Sequence, residues 1–109
     1  MHKNDFAYIS HILTCIKKIK KYSKGQSKLQ FKESELLQDA IIRNIEIIGE
    51  ASKKISPSFK KDYSHIPWKE ISGMRDKLIH DYLGIDVEVI WTTVKKDIPL
   101  LEKELKTIK

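Results

Sequence analysis

The stretch that decides the fold is residues 35–55, ELLQDAIIRNIEIIGEASKKI. Leu37, Ala40, Ile41, Ile45, Ile48, Ala51 and Ile55 recur at three- and four-residue steps, the period of one helix face. Ile42 and Ile47 widen that face. A helix apolar over so much of its circumference belongs at the centre of a bundle. It begins between Lys32 and Glu35 and runs to Ile55. Ser56-Pro57 stops it, because proline disfavours α geometry at the residue before it.

The flanking segments read as further helices. Asn4 or Asp5 can cap a first one, with Phe6, Ile9, Ile12, Leu13, Ile16 and Ile19 as its apolar stripe. The stripe gives out in the polar connector Lys20-Lys21-Tyr22-Ser23-Lys24-Gly25-Gln26-Ser27. Pro57 to His65 is a short turn or helical piece. Pro67 suits the first position of a third helix, continued by Trp68, Ile71, Met74 or Arg75, Leu78 and Ile79, with Gly84 as a left-handed stop. Asp86 can cap a fourth helix through Val87, Ile90, Trp91, Val94 and Ile98. Pro99 then kinks it or starts a last segment lined by Leu101, Leu105 and Ile108. There Glu102 and Lys106 form a supportive i,i+4 pair. No repeat, low-complexity tract or strand alternation is visible. The expectation is a single all-α domain over residues 1–109, a four- or five-helix up-down bundle.

Composition agrees. The 109 residues make one domain. Only 4 Gly and 3 Pro favour long regular elements over turn-rich β architecture. The net charge of +6 fits an anionic partner such as RNA. It fits equally a lysine-rich, solvated surface. One cysteine, Cys15, excludes an internal disulfide and points to a reducing cytoplasm. Cys15 lies in an apolar helical pattern and reads as buried filler. No run approaches the ~18 apolar residues of a membrane span, and Met1-His2-Lys3-Asn4-Asp5 is not a signal peptide.

The chemistry concentrates in Arg75-Asp76-Lys77-Leu78-Ile79-His80-Asp81-Tyr82. Arginine can hold a phosphate through two parallel hydrogen bonds. Histidine moves a proton near neutral pH. Tyrosine can stack, donate a hydrogen bond or be modified. On a regular helix Arg75 and His80 would lie about 7.5 Å apart along the axis and about 140° around it. They meet only if the arginine curls round, the helix distorts or another element completes the site. Asp76 and His80 are i,i+4 on such a helix, so the carboxylate can orient the ring. Tyr82 falls in the last turn before Gly84. Arg43, Glu46 and Glu50 form a polar line on the central helix. They are either a solvated face with an i,i+3 ion pair or a supporting layer that positions Arg75. No His-x3-His, cysteine pair or tight carboxylate cluster offers a metal box, and His2, His11 and His65 have no catalytic partner in sequence.

The Arg-x4-His-x-Tyr spacing resembles the signature of HepT-like toxins in the HEPN ribonuclease superfamily. Arg43-Asn44-Ile45-Glu46-Ile47-Ile48-Gly49-Glu50-Ala51 resembles that family's second-helix motif. Ile66-Pro67-Trp68-Lys69-Glu70-Ile71-Ser72-Gly73-Met74-Arg75 resembles its lead-in to the active site. Asp86, Trp91, Asp97 and Pro99 match its last-helix pattern. These segments cover most of the chain beyond residue 36. The first 35 residues fit only in their helical pattern.

The resemblance implies a HEPN-like bundle acting as a metal-independent endoribonuclease toxin without cofactor. His80 would move a proton and Arg75 would hold the scissile phosphate, with Asp76 in support. It also implies a homodimer with the signature helices paired, and a cognate nucleotidyltransferase antitoxin that attaches AMP to Tyr82. Two other readings stay open. One is a non-catalytic subunit that binds nucleotide or the nucleotidyltransferase; the other is a structural helical module. Taken singly, His80 can be a core or cap histidine, Arg75 a surface cation and Tyr82 an amphipathic plug. The lysine clusters Lys17-Lys18, Lys20-Lys21, Lys53-Lys54 and Lys60-Lys61 are solvated, and some can steer RNA.

Overall fold

The computed structural model describes residues 3–80 and 84–108, with the backbone alone at Lys3, Ile79, His80 and Ile85. Two long helices dominate, α1 (Lys3–Ser23) and α3 (Glu35–Lys53). They run antiparallel and form the largest helix pair of the fold. Ile9, Ile12, Cys15, Ile16 and Ile19 of α1 meet Ile41, Ile45, Ile48 and Ala51 of α3 in one buried core. The stripes read from sequence are thus the packed faces, and Cys15 is buried filler whose thiol burial pushes up in pKa. Phe6 alone of the α1 stripe is exposed, and it sets its ring edge against Phe59 at 5.4 Å.

Asp5 does something other than cap α1. Its buried carboxylate accepts from the Ser56 amide at 2.8 Å and the Ser56 hydroxyl at 2.7 Å. Ser56 in turn caps α4 (Pro57–Asp62) by accepting from the Phe59 amide. The start of α1 is therefore tied to the exit of α3, which stops at Lys53, two residues short of the expected Ile55 and ahead of any effect of Pro57; Pro57 instead opens α4. The connector before α3 also holds more structure than its polarity suggests. Ser27 and Gln30 form a capping box for the short α2 (Lys28–Glu33). Phe31 is buried there, and Ser34 caps α3 through the Leu37 amide.

The expected third helix is broken. α5 spans only Trp68–Ser72. After Gly73 the chain tightens into a 3-10 turn, Met74–Leu78. It then becomes extended, and β1 (Ile79–His80) pairs antiparallel with β2 (Gly84–Ile85), Ile79 opposite Ile85 and His80 opposite Gly84. The Asp86 amide closes the turn by donating to the Leu78 carbonyl at 2.8 Å. Gly84 does take the left-handed conformation, at φ 87°, but in this strand pair rather than as a helix stop. Asp86 caps α6 (Val87–Thr92) through the Val89 amide.

A π turn, Thr93–Asp97, links α6 to α7 (Ile98–Leu105), where Pro99 sits in the first turn. The Ile98 amide reaches back five residues to Thr93, so the ladder shifts register just ahead of the proline that cannot join it. The two-residue strands aside, the fold is the expected all-α bundle, with α3 at its centre touching α1, α2, α5, α6 and the 3-10 turn. Among the described residues no helix is long and apolar enough to cross a membrane.

Candidate functional site

The site is built where the 3-10 turn lies against α3. Gly49 sets that approach. A Cβ at position 49 would stand 3.3 Å from the Ser72 carbonyl oxygen and 3.7 Å from that of Ile71. Its absence lets the end of α5 rest on α3, one helical turn past Glu46. Met74 and Leu78 are then buried against the core. Arg75, between them, turns outward and is about half exposed, with 48% of its side-chain surface accessible.

Arg75 Nε donates to Glu46 Oε2 at 3.1 Å. Arg43 Nη1 approaches the other oxygen, Oε1, at 3.8 Å. Asp76 lies beside Arg75, with Oδ1 3.8 Å from Nη1, and is otherwise open to solvent. Glu46 thus holds the guanidinium by its inner N–H. Glu46 engages Nε and Asp76 stands beside Nη1, and the edge formed by the two terminal nitrogens is the one that can grip a phosphate in a forked pair.

The polar line expected on α3 divides between two surroundings. Glu46 faces Arg75. Arg43 and Glu50 line a groove of about 520 Å³ between α1 and α3, which they share with Tyr8, His11 and Lys54. Neither Tyr8 nor His11 stood out in sequence, because each falls on a helix face with no motif around it.

His80 lies on β1, two residues past the 3-10 turn. The helical geometry that would set Asp76 one turn from His80 does not exist, since the chain is 3-10 and then extended between them. For the same reason Arg75 and His80 are not separated by the helical angle. The helix is thus distorted between them. Asp81 and Tyr82 lie outside the described residues. Among the described residues no group of three or more His, Cys, Asp or Glu side chains converges as a metal site.

The all-α fold, the central helix with its Arg43-to-Ala51 motif and the Arg75 turn held on it define a HEPN-type domain. The family model "Ribonuclease HepT-like" matches residues 12–108, and the chain belongs to the HepT-like ribonuclease family. It is 41% identical over 109 residues to a "Probable ribonuclease HepT" of Thermococcus cleftensis, covering 100% of this chain and 99% of that one. A "Putative RNase" of Caldanaerobacter subterraneus subsp. tengcongensis is 46% identical over 101 residues, 93% of this chain and 90% of its own. A Methanocaldococcus jannaschii protein named "Gamma-glutamylcyclotransferase and putative RNase" is 48% identical over 108 residues. That alignment takes in 99% of this chain but 49% of the longer protein. No solved structure matches the chain.

Proposed function

We propose that this ribonuclease is a metal-independent endoribonuclease toxin, working in the cytoplasm and silenced by a partner nucleotidyltransferase that attaches AMP to Tyr82. The observation that carries the reading is the ordered signature Arg75-x4-His80-x-Tyr82 in a chain of this family, with Arg75 already held by Glu46. In the reaction, the 2′-oxygen of the RNA attacks the adjacent phosphorus and the bond to the 5′-oxygen breaks. His80 takes the proton of the 2′-hydroxyl or returns one to the leaving 5′-oxygen. Arg75 offers its outer edge to the scissile phosphate and stabilises the charge that builds on its oxygens. Asp76 supports the local charge balance, and Glu46, itself approached by Arg43, positions the arginine.

Arg75 is about half exposed on one small bundle, and a second copy of the chain completes the site across a two-fold axis. Sedimentation should give a dimer at micromolar concentration; a fully active monomer would exclude that arrangement.

The test of the reaction is incubation of purified, unmodified protein with defined RNAs in EDTA, alongside His80→Ala and Arg75→Ala. Cleavage should persist in EDTA and each variant should lose activity by ~10²–10⁴-fold while staying folded. A single 2′-deoxy substitution at the cut site should abolish cleavage there. An unchanged rate on the deoxy substrate rejects the mechanism. Nucleotide binding without cleavage would favour the non-catalytic subunit.

A further inference from the structure

Lys17, Lys20 and Lys21 of α1 and Lys24, whose amide still bonds the Lys20 carbonyl just past its end, stand at i, i+3, i+4 and i+7, so they share one face over about 10 Å. Read as adjacent pairs they look like ordinary solvated lysines. On the helix they form a single cationic stripe. The structure sets Lys95 of the π turn opposite that stripe, across a groove of about 620 Å³ walled by Val94 and Pro99. Among the described residues no acidic side chain lines it. Lys20 is held at the edge by Glu102, at 2.7 Å, and Lys95 lies over the Trp91 ring with Nζ 4.6 Å from its centre. Lys17, Lys21 and Lys24 have no carboxylate partner among the described residues.

Like charges at helical i,i+4 spacing repel and destabilise the helix that carries them. None of the described Asp and Glu side chains pairs with these three ammonium groups. An anionic ligand would relieve the repulsion. The chemistry narrows its class. Lysine is a point charge that attracts phosphate without geometric selection. The groove offers no ring as a lining face for stacking bases, the usual platform for reading single strands. We infer that the groove between α1 and the π turn binds the phosphate backbone of RNA, independently of base sequence, as a site separate from Arg75. The inference rests on the ribonuclease reading for its choice of polyanion. It makes the groove a holding site for long substrates that contributes to KM and not to the chemical step.

The test compares the triple variant Lys17→Gln, Lys21→Gln, Lys24→Gln with a control triple, Lys53→Gln, Lys61→Gln, Lys69→Gln, which removes the same charge from exposed positions elsewhere. Binding of a labelled 2′-O-methyl RNA, which cannot be cut through its 2′ position, is followed by anisotropy over a salt series. Each lost phosphate contact lowers the slope of log affinity against log salt by ~0.7 on a single strand, so the groove triple should lose about 2 and the control little. The groove triple should also raise KM on long RNA and cleave a dinucleotide like wild type. Equal slopes for the two triples would overturn the inference. So would unchanged RNA binding with lost binding of the nucleotidyltransferase, which would make the groove a protein-docking face. If wild type cuts neither long RNA nor the dinucleotide but the groove triple still loses its salt slope, the ribonuclease reading fails and the RNA site stands.

Discussion

Arg75 and Glu46 are 29 residues apart in sequence and meet through one charge-assisted hydrogen bond, Nε to Oε2 at 3.1 Å. Both side chains reach solvent, so the pair adds only about 0–1 kcal/mol to stability. Its effect is directional: the carboxylate takes the inner N–H and leaves the outer edge of the guanidinium for a ligand.

Glu46→Gln should therefore separate activity from stability. The neutral amide oxygen keeps a weaker version of the contact. We expect kcat/KM on RNA to fall about tenfold, the size of one charge-assisted hydrogen bond, with the thermal midpoint almost unmoved. An Arg75→Ala, Glu46→Gln double variant should be no worse than Arg75→Ala alone. Additive losses in that kinetic cycle would show that Glu46 acts by some other route.

Gly49→Ala tests how the site is positioned. Alanine favours the helix by up to about 1 kcal/mol over glycine. The added methyl, however, presses on the Ser72 carbonyl at 3.3 Å, and backbone yields less readily than a side-chain tip. Overpacking costs about 1–3 kcal/mol, so the clash should win. The urea midpoint should drop and activity should fall with it, because Met74–Leu78 rides on that contact. A variant more stable than wild type would mean that α5 shifts freely and does not set the site.

Tyr82→Phe addresses the proposed switch. Co-expressed with its nucleotidyltransferase, the wild-type protein should gain mass in AMP-sized steps on Tyr82 and cleave RNA poorly, since bulk and negative charge would block a phosphate pocket. The phenylalanine variant has no acceptor oxygen and should stay unmodified and active. Peptide spectra showing bare Tyr82 after incubation with ATP and the genuine partner would remove the switch and leave the ribonuclease intact.

Acid should loosen two named ties. Hydrogen bonds from Lys28 and Lys32 hold the Glu88 carboxyl below its ordinary value of 4.5, linking α2 to α6. A hydrogen bond from Lys20 does the same for Glu102, linking α1 to α7. A carboxyl depressed in the folded state contributes stability above its unfolded pKa and loses it as pH falls through the folded pKa. The urea midpoint should thus be flat from neutrality to about pH 5 and fall below it. Glu102→Gln should start lower at pH 7 and converge on wild type in acid. Parallel curves at all pH values would show that the Lys20 tie carries no stability.

The sequence by itself determined the long elements and their inward faces. Helical periodicity in residues 35–55 and in the α1 stripe is a local signal, and burial of those isoleucines follows from it directly. The cap at Asp86 and the break at Pro99 are local too: each depends on one side chain and the backbone within a few residues. Family membership was likewise legible, in the ordered motifs from Arg43 to Pro99.

Tertiary structure alone decided the path between Gly73 and Gly84. Trp68, Ile71, Met74 and Leu78 are spaced for a continuous helix, and the same spacing also suits an α-helix followed by a tighter 3-10 turn. The choice between them rests on how α5 docks over Gly49 and on the pairing of Ile79 with Ile85, contacts between residues distant in sequence. That choice moved Asp76 out of helical register with His80. Tertiary packing also set Glu46 against Arg75 and Glu50 against α1, with Arg43 lining that groove and reaching Glu46. The lysine stripe shows the same division. Its period is written in α1, but the opposing Lys95 and the Glu102 tie on Lys20 come only from the packing of the π turn and α7 against it.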